Sequence, residues 1–380
     1  MGSASSKLSG SCSTSRPVVA VPDVRLRIAT RTSPLAMTQA RRVASLMRSW
    51  ADRAGVAIEI SVVPVETMGD RDRDQPLHRL GGQGVFVKEV QGAVIDGRAD
   101  LAVHSAKDLP ASDQVPGLAL ASFPERADRR DLLVGSTLEG LVPGARVATG
   151  SARRRVQLAN ARPDLTFDEL RGNMATRLAV AGQGSTTGSG APCVVVAKAA
   201  VDRLAWTPPP GLPVDVLDVT TMVPQVGQGA LAVECREGDE PAVGILAAID
   251  DPAVRREVLA ERAFLAELGG GCTLPVGATA YEIDGLGPSV PRGAGGGTGT
   301  VPGGRVDPGA FPGRGSRALT LVGMIASEDG RVVLRHEAQG DDPATLGRSV
   351  ARYLLDDAGG RSLGPWEGEW AVADEPRLRP

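Results

Sequence analysis

Aromatic side chains are scarce in this 380-residue chain, where Phe, Trp and Tyr together make up 3%. A protein that stacks bases along a single strand needs such rings, and nucleic-acid binders in general carry a basic excess. The net charge here is -3, so both composition and charge argue against that class. The cores must therefore be built from Val, Leu, Ile and Ala. Cysteine is scarce too: Cys12, Cys193, Cys235 and Cys272 are widely spread and form no CxxC pair, and the histidines are only His78, His104 and His336. That pattern suits neither a zinc site, nor a His-rich metal centre, nor a small disulfide framework. No metal is expected, and free thiols in a reducing cytoplasm are the simplest reading. No apolar run approaches the roughly 18 residues of a membrane span. Residues 1–23 lack the long apolar core of a secretory signal and read as a disordered tail.

Glycine (48) and proline (28) are abundant but concentrated in a few segments. The length implies two or three domains. Strands are expected at 24–29 and 57–65, with a helix from Ser33 and Pro34 to about residue 52, Ser as its cap and Pro at its first position. The polar, glycine-punctuated stretch 69–84 reads as a mobile loop, 85–96 as a helix and 101–104 as a buried strand. This alternation implies an α/β fold with a parallel sheet. A second α/β unit follows from about residue 126, with strands at 147–149 and 194–197 and helices at 151–161 and 173–181. Its Gly/Ser/Thr stretch 182–191 is a surface loop. A further strand entry lies at 226–234 and a long helix at 252–268. Three antiparallel strands follow at 274–283, 319–326 and 332–337, with a hairpin turn at 327–330 and a closing helix at 343–356. The Gly/Pro-rich insertion 285–315 reads as disordered. No internal sequence repeat is visible.

The residues with chemistry gather at strand-to-helix junctions. Arg31 stands with Ser33; Arg153, Arg154 and Arg155 follow Thr149 and Ser151; Arg171 and Arg177 flank Gly172 and Asn173. Helix N-termini offer free N–H groups and a positive dipole end, and guanidinium forks beside them make carboxylate or phosphate receptors. Three such junctions at strand ends point to one crevice and a polyanionic ligand. At the end of the strand 101–104, Lys107 and Asp108 enter the same region, and a carboxylate there can stabilise a developing cation or deliver a proton. The run Gly269–Gly271 leaves Cys272 on an open approach, a candidate nucleophile or attachment point. Cys193 and Cys235 read as small core residues. The residues alone stop at a cleft enzyme or a non-enzymatic binder of polyanions.

Taken together, residues 27–36 (RIATRTSPLA), 81–89 (GGQGVFVKE), 99–110 (ADLAVHSAKDLP), 171–173 (RGN), 176–178 (TRL), 226–230 (VGQGA), 261–263 (ERA) and 271–272 (GC) resemble the porphobilinogen deaminase family in order and spacing. The resemblance implies two α/β lobes of the periplasmic-binding-protein kind, with residues 24–123 and 226–246 in the first and 124–225 in the second. A small α+β domain, 247–380, with a three-stranded antiparallel sheet completes the chain. It implies a dipyrromethane cofactor joined by thioether to Cys272 and a catalytic Asp108. Lys107, Ser105, Thr149, Ser151, Arg153 and Arg154 fall with the cofactor. Arg31, Ser33, Gln39, Phe86, Arg171, Asn173, Arg177 and Gln228 fall with the substrate. The implied reaction joins four porphobilinogen molecules head to tail with loss of ammonia and releases hydroxymethylbilane by hydrolysis. The implied protein is a cytoplasmic monomer with no nucleic-acid or membrane partner, and 69–84 is its candidate lid. Gln83 stands where the family usually has lysine, and Gly150 where it commonly has serine, which removes a hydroxyl from the anion site.

Overall fold

A computed structural model describes residues 24–67, 87–111, 115–182, 192–269, 275–282 and 318–363. The readings placed on 1–23, on the loop 69–84 with Gln83, on Phe86, on Cys272 and on the insertion 285–315 lie outside the described residues. In chain order the first elements are β1 (Val24–Arg31), α1 (Pro34–Ala54), β2 (Ile58–Val65), α2 (Lys88–Ile95), β3 (Leu101–Ser105) and β4 (Leu118–Ser122). There follow β5 (Asp131–Val134), β6 (Arg146–Ala148), α3 (Ala152–Ala161), β7 (Thr166–Asp168), α4 (Met174–Gly182), β8 (Cys193–Ala197), α5 (Lys198–Arg203) and β9 (Val214–Leu217). The chain continues through β10 (Leu231–Arg236), α6 (Glu240–Ala248), α7 (Pro252–Glu267), β11 (Val276–Glu282), β12 (Leu319–Ala326), β13 (Val333–Gly340) and α8 (Pro343–Arg352).

Helix α1 shows how local sequence sets these limits. The Ser33 hydroxyl accepts from the Ala36 N–H at 3.3 Å, Pro34 opens the first turn, and Gly55 closes the helix in the left-handed region. Ala40, Val43, Ala44 and Met47 recur at helical spacing and bury against Leu26, Ile28, Leu101 and Leu231 of the first sheet. Each fully buried large aliphatic side chain contributes about 1.5–3 kcal/mol by leaving water.

The first sheet has the order β2-β1-β3-β10-β4 and the second β7-β6-β8-β5-β9. Neither is the purely parallel sheet that the β-α-β alternation suggests. β1 runs parallel to β2 and β3, but β10 is antiparallel to both β3 and β4. In the second sheet β6 is parallel to β7 and β8, whereas β5 is antiparallel to β8 and β9. The reversed strand in each sheet is the one that arrives from the other: β5 after the crossing 123–130, and β10 after the crossing 218–230. Two sheets without a sequence repeat thus share one plan. β4, β5, β7 and β9 escape periodicity because they are three to five residues long. The strand expected from residue 226 begins only at Leu231, because 226–230 is spent on turns.

The third sheet, β11-β12-β13, is fully antiparallel. Helices α7 and α8 cover it, with Phe264, Leu268, Leu319, Leu321, Leu346 and Val350 in its core. The hairpin turn closes where expected, through the Gly330 N–H to the Ser327 carbonyl at 3.0 Å. The closing helix is α-helical only to Arg352 and then widens into a π-turn over Tyr353–Asp357. Among the described residues no helix is long and apolar enough to cross a membrane.

The two crossings touch one another and the third sheet. Ala127 N–H donates to the Gly229 carbonyl at 3.0 Å, and Leu231 N–H to the Glu125 carbonyl at 3.1 Å. Arg126 reaches Glu257 (3.2 Å) and Glu261 (2.8 Å) on α7, Arg129 reaches Glu257 (2.8 Å), and Glu261 also accepts from the Gly227 and Ala280 N–H groups. Burying these charges is tolerable only because each is paired and hydrogen-bonded. Gly229 is essential to the contact: its φ is +87°, and a Cβ there would lie 2.4 Å from the Ala127 carbonyl oxygen. Gly229→Ala should therefore destabilise the protein by about 2 kcal/mol or more, read as a lower midpoint in urea; an unchanged midpoint would contradict this account of the crossing.

Candidate active site

The site is built at the carboxyl ends of the parallel strands, where an open α/β sheet leaves its crevice. β3 ends at Ser105, whose hydroxyl accepts from the Gln39 amide of α1 at 2.8 Å. A single 3₁₀ turn, Ala106–Asp108, then presents Lys107 and Asp108. Its first N–H donates to the Ala230 carbonyl at 3.0 Å, which fixes the turn on the second crossing. Arg31 and Ser33 stand at the end of the neighbouring strand β1.

From the second sheet come Thr149 and Ser151, after β6, and the first turn of α3. The Thr149 hydroxyl accepts from the Ser151 N–H at 3.2 Å. A Cβ at Gly150 would lie 2.8 Å from the Leu170 carbonyl, so glycine lets this turn close on the segment after β7. A serine at this position would not fit unshifted. Arg153 and Arg154 are almost fully buried and converge on Asp131, which is wholly buried. Arg153 bonds Asp131 Oδ2 at 2.8 Å and the Val223 carbonyl at 2.7 Å; Arg154 bonds Asp131 Oδ1 at 2.8 Å and the Val195 carbonyl at 2.9 Å. Burial alone would raise the Asp131 carboxyl, but the two guanidinium groups overcome it and hold the pKa well below the usual range.

Gln228 joins the halves. Its Nε2 donates to Asp131 at 2.9 Å and to the Arg129 carbonyl at 2.8 Å, and its Oε1 accepts from Lys107 Nζ at 3.3 Å. Expected beside the substrate, it is instead wholly buried as a bridge between the Lys107 turn and the Asp131 cluster. Asn173, similarly expected at the substrate, has its side-chain oxygen on the Thr176 N–H at 3.0 Å and so starts α4. Arg171 lies 3.6 Å from Glu169, and Arg177 donates to the Gly172 carbonyl at 2.9 Å.

The electrostatics tie these groups into one cluster. Burial brings the Lys107 ammonium down to about 8, with attraction from Asp108 opposing and repulsion from Arg154 adding. Burial and then Arg154 bring Arg177 down to about 10, against the pull of Asp108 and Glu169. Four cations, Lys107, Arg153, Arg154 and Arg177, thus share a region with the carboxylates Asp108, Asp131 and Glu169. Arg153 Nε is buried with no hydrogen-bond partner among the described residues. A cation surplus with an unsatisfied buried donor is a receptor for an added anion.

A family model described as "Porphobilinogen deaminase, dipyromethane cofactor binding domain" matches residues 26–243, and one described as "Porphobilinogen deaminase, C-terminal domain" matches residues 255–285. The chain belongs to the porphobilinogen deaminase family. A porphobilinogen deaminase of Syntrophus aciditrophicus is 39% identical over 344 residues, covering 89% of this chain and 97% of that one. Another from Roseiflexus castenholzii is 40% identical over 343 residues, with 89% and 98% covered. One from Acidothermus cellulolyticus reaches 45% over 260 residues, with 67% and 74% covered. The domain that the first family model describes is the one that binds the dipyrromethane cofactor, and the cations Lys107, Arg153 and Arg154 suit an acidic group.

Within this porphobilinogen deaminase fold, the residues singled out from sequence fall in two groups at the strand ends: Arg31, Ser33, Gln39, Ser105, Lys107 and Asp108 in the first sheet, and Thr149, Ser151, Arg153, Arg154, Arg171, Asn173 and Arg177 in the second. Phe86 and Cys272 lie outside the described residues. Asp131 was missed. Its one sequence signal is a carboxylate opening the apolar run Asp131–Val134, where a buried charge demands cationic partners.

Proposed function

We propose that the chain is a transferase with hydroxymethylbilane synthase activity, acting on porphobilinogen as a cytoplasmic monomer. It joins four porphobilinogen molecules head to tail, releases one ammonia at each addition, and frees the linear tetrapyrrole by hydrolysis. The observation that carries this reading is the gathering of four cations, Lys107, Arg153, Arg154 and Arg177, in one cluster that includes Asp108. Each porphobilinogen brings two carboxylates, so a growing chain accumulates the charge this cleft can offset.

When bound at Cys272, the dipyrromethane supplies the pyrrole carbon on which the product is built. Lys107, Arg153, Arg154, Ser105, Thr149 and Ser151 would hold its carboxylates. Arg31, Ser33, Gln39, Arg171, Asn173 and Arg177 receive the acetate and propionate of the incoming substrate. As ammonia leaves, positive charge develops on the substrate's pyrrole nitrogen, and the Asp108 carboxylate stabilises it without reorganisation.

Ammonia and tetrapyrrole are counted together in the test. Four ammonia per tetrapyrrole supports the reading; porphobilinogen bound but unchanged would leave only the anion-binding alternative. Lys107 adds a pH signature. Below about pH 8 its ammonium is charged and attracts carboxylates; above that value the charge is lost. KM for porphobilinogen should rise several-fold between pH 7 and 9, and Lys107→Arg, which stays charged, should flatten the rise. A KM profile identical in the two proteins would mean that the Lys107 charge does not act on the incoming carboxylates.

A further inference from the structure

Beneath the Asp108 turn lies a buried ion cluster that the reaction does not touch. Glu234 on β10 is 7% exposed. Its carboxylate accepts from the Gln91 amide of α2 at 3.0 Å on each oxygen, and stands 3.0 Å from His104 Nε2. Across a small cavity lined by Gln91, Leu109, Pro110 and Glu234 stands Arg262 of α7. Arg262 donates to the Pro110 carbonyl at 2.7 Å and to the Leu109 carbonyl at 3.5 Å. Burial would raise the Glu234 carboxyl, but His104, Gln91 and Arg262 together hold it below its ordinary value.

We propose that Glu234 is a positioning residue that clamps both ends of the turn carrying Asp108 and registers that turn against the helix leading to Cys272. This inference rests on Asp108 being the catalytic carboxylate. His104 lies in β3 just before the turn, and Leu109 and Pro110 lie just after it. Both sides face one carboxylate: His104 stands 3.0 Å from it, and the charge of Arg262 acts on it across the cavity. Arg262 sits on α7, whose last residue, Glu267, lies five positions before Cys272. Glu234 therefore links the turn of Asp108 to the helix that precedes Cys272 in the sequence. A buried ion pair is a poor source of net stability, whereas a buried carboxylate held on both oxygens by Gln91 is well placed to fix geometry. Displacing a reacting group by about 1 Å costs on the order of 100-fold in rate.

The test uses holoenzyme whose intact mass shows complete cofactor loading. Glu234→Gln removes the charge at constant shape. Its kcat should fall by about 10- to 100-fold, with KM changed less than about 3-fold, and Glu234→Asp should recover part of the loss. Arg262→Lys keeps the charge but loses the fork; it should show the same kcat-selective loss and serves if Glu234→Gln does not fold. A lower thermal midpoint with kcat per loaded molecule unchanged in both variants would overturn the proposal. Asp108→Asn separates the two failures. Full activity in that variant would remove the catalytic assignment itself. An inactive Asp108→Asn beside fully active Glu234→Gln and Arg262→Lys would remove only the positioning role.

Discussion

Asp108→Asn should lower kcat by about 1,000-fold while leaving the fold intact. The amide matches the carboxylate in shape but cannot balance a cation on the substrate's pyrrole nitrogen. A thousand-fold loss corresponds to about 4 kcal/mol, a reasonable value for one preorganised charge in a cleft of low dielectric. The same substitution acts on its neighbours. Asp108 draws the Lys107 and Arg177 pKa values upward, so in its absence Lys107 should titrate below about 8. The variant therefore carries two signatures: a rate loss at every pH, and a KM rise that begins at lower pH than in the parent. Steady-state kinetics between pH 6 and 9 read both. A rate within a few-fold of the parent would place the catalytic carboxylate elsewhere.

Asp131→Asn should be the most destabilising single change in the site, by about 3–5 kcal/mol. It leaves two buried guanidinium groups without their counter-charge and takes the Oδ2 acceptor from Arg153. The sign with pH follows from the lowered carboxyl: its contribution is complete above the ordinary carboxylate range and is lost as pH falls below it. In the parent, acid should weaken the fold through this group. Asp131→Asn should lower the urea midpoint near neutral pH and lose that part of the acid dependence. Equal midpoints at pH 7 would mean that Arg153 and Arg154 find other partners, and that Asp131 does not set their positions.

Much of this was legible in the sequence, for physical reasons that differ from part to part. Helix α1 announced itself because Ser33, Pro34 and the 3.6-residue spacing of Val43, Ala44 and Met47 act within one segment. The Asp108 turn was legible because a short apolar strand followed by Lys and Asp is how an α/β sheet presents polar groups. The reversed strands β5 and β10 were not, because their direction follows from where the chain crosses between sheets. Arg153 and Arg154 were read as open anion receptors, yet both first satisfy Asp131, some twenty residues away in sequence. Gln228 shows the same limit: a polar side chain near a ligand site is legible, but whether it meets ligand or protein depends on packing. Gly150, which from sequence looked like a lost hydroxyl, reflects a close backbone approach.

The central claim is that this chain builds its product on a dipyrromethane anchored at Cys272, and the intact mass of the purified protein tests it most directly. The account predicts a covalent excess equal to two porphobilinogen units less two ammonia, absent from Cys272→Ser, with further increments of one porphobilinogen less one ammonia on brief exposure to substrate. A parent protein of unmodified mass that gains nothing on incubation with porphobilinogen, or a Cys272→Ser variant that loads as the parent does, would contradict it.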